Sequence, residues 1–255
     1  VTGCIAAVLL SLVPAAPALG PPKFESVDDL LVALRSDRAS RRRDAIEHLV
    51  TYPHVLLNRL TSPDVALLAD ELLNHLGDKD HGRSVLRVLE SMHGQNGLSA
   101  RQREKLAAAL PILFKGEDAS IRLDAAKLLV AVRPEDLSLA LPVARAVMVE
   151  KGEPDGRVTA AKLVARWSPA EKPAAVKALR SVLAETEGWP RMLAANALIG
   201  MKEIDRAEWV NLIVGAIESS KDGIDRGNIV DILTVGSWPE ARTAVPAVAK
   251  LLKDP

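Results

Sequence analysis

Four times between Asp118 and Leu233 the chain repeats one pattern: an acidic residue, three residues, Arg, two residues, a small or aliphatic residue, three residues, and another aliphatic one. The acids are Asp118, Glu153, Glu187 and Asp222, and the arginines are Arg122, Arg157, Arg191 and Arg226. Ala125, Ala160, Ala194 and Ile229 fill the first apolar position, and Leu129, Val164, Leu198 and Leu233 the second. Successive arginines are 35, 34 and 35 residues apart, and the pairs Leu141-Pro142 and Val245-Pro246 lie 104 residues apart, three of the same steps. Two unrelated markers at one period require a structural repeat, in which each unit is too small to bury its own apolar face and must stack on its neighbours.

The repeat unit reads as a helical hairpin. Apolar positions three and seven residues after each Arg fall on one helical face. Segments 137–149, 171–184, 206–218 and 240–252 precede or follow these motifs as amphipathic or buried helices separated by short charged or Gly-containing turns. The composition agrees: Ala and Leu dominate, and only seven residues of 255 are aromatic (four Trp, two Phe, one Tyr). Strand-favouring residues are therefore scarce and helix formers abundant, which predicts an all-α chain.

On these motifs the chain resembles the HEAT-repeat family. The resemblance is carried by the aliphatic-Pro pair of the first helix, turns of the Lys-Asp-Pro or Gly-Glu-Asp kind, and the Asp-x-x-x-Arg-x-x-Ala start of the second helix, as in Asp118 to Ala125. It is clearest over 98–255, read as regular repeats with the last incomplete, while 26–97 is read as degenerate repeats. An earlier copy stands at Arg42, Ala45 and Leu49, with helices expected around 54–61, 64–76 and 83–92. The step from Ala45 to Ala125 is not a whole number of the later periods, so the number of early repeats stays open. The resemblance implies a right-handed α-α superhelix, a HEAT-like solenoid. It further implies that Asp118, Arg122, Glu153, Arg157, Glu187, Arg191, Asp222 and Arg226 form a structural ladder between neighbouring repeats.

Residues 1–20 read differently. Val1 to Pro22 lacks charge, Cys4 to Val13 has the length of a signal-peptide apolar core, and Ala16-Pro17-Ala18 offers a cleavage site. An exported, periplasmic or secreted protein is the expectation, the alternative being a cytoplasmic protein with an apolar tail. Cleavage after Ala18 would remove Cys4, the single cysteine, and no transmembrane span is expected in the mature chain. At the other end, Ala241 to Leu252 reads as a first helix without its second.

Candidate chemistry is sparse. All five histidines (His48, His54, His75, His81, His93) fall in one early stretch, and the segment His75 to His81 gathers two imidazoles with Asp78 and Asp80. It has neither His-Glu-x-x-His nor paired Cys, and Lys79 intrudes, so a solvated loop is expected and no metal or cofactor. No nucleophile elbow or Gly-rich phosphate loop occurs. Arg35, Arg38 and Arg41 to Arg43 form one basic patch, but Asp37, Asp44 and Glu47 interrupt it, and 33 basic residues balance 33 acidic ones overall. Nucleic-acid binding is accordingly not expected.

Trp167, Trp189, Trp209 and Trp238 read as core or as binding residues on a curved surface. The functional expectation is a non-catalytic scaffold that binds a protein or peptide on the concave, second-helix surface. Its contacts are expected five residues after each Arg, at Lys127, Lys162, Asn196 and Asp231. The alternatives are a HEAT-like enzyme, of nucleic-acid glycosylase or lyase type, and a regulatory segment of a longer polypeptide.

Overall fold

The computed structural model describes residues 26–51, 61–78, 81–95 and 97–219, together with Phe24 and Ala249. The segment 1–20, the helix expected around 54–61 up to Thr61, the fourth motif copy at Asp222 and Arg226, Asp231, His54, Trp238 and the helix expected over 240–252 lie outside the described residues. Among the described residues the chain is all-α, with eleven α-helices and no strand.

Helices α1 (Val27–Leu34) and α2 (Ala39–Thr51) form the first hairpin, α3 (Ser62–Asn74) and α4 (Gly82–Gly94) the second. In the third, α5 (Ala100–Ala109) runs on as a 3-10 turn, Leu110–Lys115, before α6 (Ala119–Val132). Then follow α7 (Leu137–Val149) with α8 (Pro154–Trp167), α9 (Lys172–Glu185) with α10 (Gly188–Gly200), and α11 (Arg206–Ser219). Odd-numbered helices make one layer and even-numbered helices the other. Each hairpin packs internally, α6 also packs on α7, α8 on α9 and α10 on α11, and the second layer is continuous from α2 through α4, α6 and α8 to α10. The molecule is a solenoid of stacked hairpins.

Local chemistry starts several helices. Asp118 caps α6, its Oδ1 accepting the backbone N–H groups of Ser120 at 2.7 Å and Ile121 at 3.2 Å. Ser99 and Gln102 exchange bonds in a capping box at α5, and Thr61 does the same with Asp64 at α3. These satisfy N–H groups that a helix start leaves without intrahelical partners. Gln102 does more: its buried Nε2 donates to the Ala66 carbonyl of α3 at 2.7 Å, joining two first-layer helices.

The core is an apolar seam between the layers in two clusters, one under α1 to α6 and the start of α7, the other chiefly from α7 to α11, with half-buried Trp167 packed against both. Ala125-Ala126, Ala160-Ala161 and Ala194-Ala195 are fully buried in α6, α8 and α10, and such small pairs let neighbouring helices approach closely, since the side chains at a contact set the interaxial distance. Leucines and valines, among them Leu129, Val164, Leu179, Val182 and Leu198, fill the space between the backbones. In α2 and α4 the corresponding pairs are Ala45-Ile46 and Val85-Leu86. Larger residues at these places explain why the motif fades upstream.

The early register follows from the same burial pattern. Ala45, Val85 and Ala125 are buried at matching places in α2, α4 and α6, so the long step from Ala45 to Ala125 divides at Val85 into two equal hairpin steps. Gly82 then stands where α2 has Arg42 and α6 has Arg122. An independent geometry agrees: Arg42 donates to the Ser36 carbonyl at 2.8 Å and Arg122 to that of Gly116 at 2.7 Å, each six residues back. A Cβ on Gly82 would lie 2.8 Å from the carbonyl oxygen of Leu76, again six back. The turn that arginine clamps elsewhere is here closed directly against the helix.

Candidate functional site

Two of the motif arginines, Arg122 and Arg157, tie hairpins together along the edge of the stack where each hairpin turns. Arg122 pairs with Glu150, and it also donates to the Glu117 carbonyl at 2.9 Å. Arg157 donates to Glu185 Oε2 at 2.6 Å and Ser181 Oγ at 3.3 Å. The hydrogen bond from Arg157, first, and a second that the Ser181 hydroxyl donates to the same carboxylate hold Glu185 below its usual range. Both acids stand at the end of the first helix of the following hairpin, at the same offset from their Arg, and lie outside the repeated motif. Arg191 is half-buried, with its Nε enclosed. Glu153 and Glu187 sit at the N-cap positions of α8 and α10, where a negative charge suits the helix dipole.

The second-layer face presents a polar row. Matching α2, α4, α6, α8 and α10 by their buried positions puts Glu47, Arg87, Lys127, Lys162 and Asn196 at one place on successive helices. Arg87 and Lys162 are exposed, as are Arg83 one turn before Arg87 and Arg166 one turn after Lys162. Lys127 Nζ lies 3.0 Å from Glu90 on α4 and 3.8 Å from Asp124 on its own helix, and Arg83 lies 4.0 Å from Asp124. These pairs show that the row is one surface crossing from α4 to α6. Asn196 is not available in the same way: its Oδ1 accepts from Trp209 Nε1 at 2.7 Å and its Nδ2 contacts Met192 Sδ at 2.9 Å.

That bond also places the tryptophans. Trp209 is 2% exposed and belongs to the core between α10 and α11, while Trp167 and Trp189 are half-buried and pack on the seam. By contrast, Val32, Leu67, Ile112, Leu139 and Val149 are exposed on first-layer elements. Apolar side chains standing singly on a surface are ordinary.

A second polar region lies where the turn after α1 stacks on the turn after α3. It is a surface cleft of about 450 Å³ lined by Arg35, Asp37, Arg42, Glu71, His75 and Asp78 among others. The basic patch and the histidine segment, separate in sequence, meet here. Arg35 Nε donates to Glu71 Oε2 at 2.8 Å, and His75 Nε2 lies 3.6 Å from Glu71 Oε1. His81, expected in a solvated loop, is instead 5% exposed at the entrance of α4, its Nδ1 3.4 Å from Asp78 and its Nε2 3.5 Å from Arg43 Nε. Burial follows from the close approach at Gly82, which pulls the turn onto the second layer. Cation and carboxylate alternate through the cleft, so the arginines form no unbroken positive strip. Among the described residues no cluster of three or more His, Cys, Asp or Glu could hold a metal ion.

Among the described residues His48 is the other buried imidazole. It lies edge-on to the Phe24 ring, with centroids 5.3 Å apart, and burial lowers its pKa below the ordinary value. Among the described residues no helix is long and apolar enough to cross a membrane. No family model, no curated protein and no solved structure matches the chain.

Proposed function

We propose that the protein is a non-catalytic, HEAT-like interaction scaffold that holds a protein or peptide partner on its second-layer face, taken as the concave side of the stack. The observation that carries this reading is the shared register of α2, α4, α6 and α8, which lines up Glu47, Arg87, Lys127 and Lys162 as one row on successive helices. An extended array of this kind suits an extended partner, because each repeat adds a few contacts without any one pocket. Pairing of charges within the cleft of Arg35, Glu71 and His75 further supports a structural role there. Export, read from residues 1–20, belongs to the same proposal.

The test is site-specific photo-crosslinking in extract of the source cells, with the probe at Thr159 on α8 and, as control, at Leu67 on the first layer. Both positions are exposed. A discrete adduct from Thr159 and none from Leu67 is the expected result. Equal labelling from both, or none from Thr159, refutes a partner on this face. Fractionation of the full-length protein tests export, with cytoplasmic recovery the refuting outcome.

A further inference from the structure

We infer that the partner segment is acidic and extended, and that it lies across α4, α6 and α8 with a carboxylate about every third residue. The inference deepens the scaffold reading and rests on it.

Charge is the first argument. On the part of the row formed by α4, α6 and α8 stand Arg83, Arg87, Lys127, Lys162 and Arg166 against Glu90 and Asp124. Both carboxylates are already engaged by Lys127 and Arg83. Arg87, Lys162 and Arg166 are the surplus, a local excess in a chain whose charges balance overall at 33 to 33. The surplus is bounded at the same register by Glu47 on α2 and the committed Asn196 on α10. The basic stretch is therefore three helices wide.

Spacing is the second argument. Packed helices lie about 8 to 10 Å apart, and an extended peptide advances about 3.3 Å per residue. One step from helix to helix thus equals roughly three peptide residues. A segment with Asp or Glu at every third position can meet Arg87 on α4 and Lys162 on α8, with Arg166 beside the last, and between them share Lys127, which Glu90 and Asp124 already hold. A nucleic acid fits less well, since its phosphates form an unbroken negative line that would have to cross Glu90 and Asp124. Discrete carboxylates can straddle those two acids; a phosphate backbone cannot.

The experiment uses the full chain and fluorescein-labelled twelve-residue probes read by anisotropy. They are a peptide with Glu at every third position, the same composition with its glutamates contiguous, a Lys analogue with the first spacing, a neutral apolar peptide, and single- and double-stranded DNA. The spaced acidic peptide is expected to bind best and to weaken steeply with salt. Arg87→Gln, Lys162→Gln and Arg166→Gln should each weaken it about two- to fivefold, as exposed charges do, and the triple variant at least about tenfold. These residues are exposed, and circular dichroism verifies that each variant keeps its helices.

Tighter binding of DNA, or an acidic peptide indifferent to the triple variant, overturns the inference. A photo-reactive Thr159 separates the two levels of argument. Crosslinking to the Lys or apolar peptide in preference to the acidic one refutes acidic selection and leaves the scaffold reading intact. Crosslinking to none of the peptides, together with no adduct in extract, removes both.

Discussion

Replacing Gly82 by Ala tests the register of the early hairpins, because helix propensity and packing predict opposite signs. Gly82 opens α4, is buried, and carries no positive φ, so propensity alone favours Ala, by up to about 1 kcal/mol in a helix interior. The added Cβ would meet the Leu76 carbonyl oxygen at 2.8 Å and its carbon at 3.8 Å. That oxygen belongs to backbone, and the turn holding it is anchored by the Gly82 N–H bond to the Asp78 carbonyl at 2.8 Å. Forcing the turn outward costs about 1–3 kcal/mol, as overpacking does. The expected net is a loss of about 0.5–2 kcal/mol. Gly200, the last residue of α10, is exposed with nothing within 4 Å of a built Cβ, so Gly200→Ala should stabilise by about 0.4–1 kcal/mol. Urea titration followed by helical circular dichroism gives the two midpoints, and hydrogen exchange locates the effect. Gly82→Ala should speed exchange in α3 and α4, and Gly200→Ala should leave them unchanged. A Gly82→Ala protein at least as stable as the parent, with exchange in α4 unaltered, would refute the close-approach account and the register built on it.

Lys202 has φ of 61° in the turn that ends α10, where Glu203 N–H reaches back to the Leu198 carbonyl. Lys202→Gly should relieve this left-handed conformation and raise stability by about 0.5–1 kcal/mol, read from the urea midpoint. Asn196→Leu removes the acceptor of Trp209 Nε1 and should cost about 1–3 kcal/mol; in a Trp209→Phe background the same change should cost less, and equal costs would refute the coupling. His48 has a lowered folded pKa, so the unfolded chain binds the extra proton first. Its contribution is complete above the unfolded value of 6.5 and declines as pH falls below it. His48→Gln should flatten the stability profile just below that pH. Glu185 behaves with the same sign lower down: its ionised form stabilises the fold above the ordinary value of 4.5 and is lost as pH falls through the lowered folded value, a slope that Arg157→Gln should reduce.

The repeated Arg spacing made the hairpins legible because one residue type occupies one turn in each copy. α7 occupies 137–149 as the periodicity predicts, and α9 and α11 begin and end within a residue of expectation. Register upstream was hidden by Gly82 and by the larger residues at the alanine-pair positions of α2 and α4. Helix α4 is expected around 83–92, but with Gly82 at the Arg position nothing ties it to the later copies, and Arg87 stays out of the row that contains Lys127 and Lys162. Glu150 and Glu185 were hidden for another reason: their links to Arg122 and Arg157 join residues far apart in the chain and exist only once two hairpins stack. Asn196 matches the surface column by spacing, yet Trp209 on the next helix claims its amide. The cleft of Arg35, Glu71 and His75 likewise depends on stacked turns, which no local pattern encodes.

The links that flank the apolar seam also have a mechanical consequence. Arg122 and Arg157 fasten one edge of the stack, while Arg145 on α7, which donates to both oxygens of Glu171 at the entrance of α9, fastens the opposite edge. Rocking of one hairpin on the next pivots about the seam and lengthens one set of links at a time. Resistance to bending then comes from partly exposed ion pairs, whereas resistance to separation comes from buried alanine and leucine. Salt screens the former and leaves the latter almost untouched, so ionic strength softens the spring without dismantling the stack.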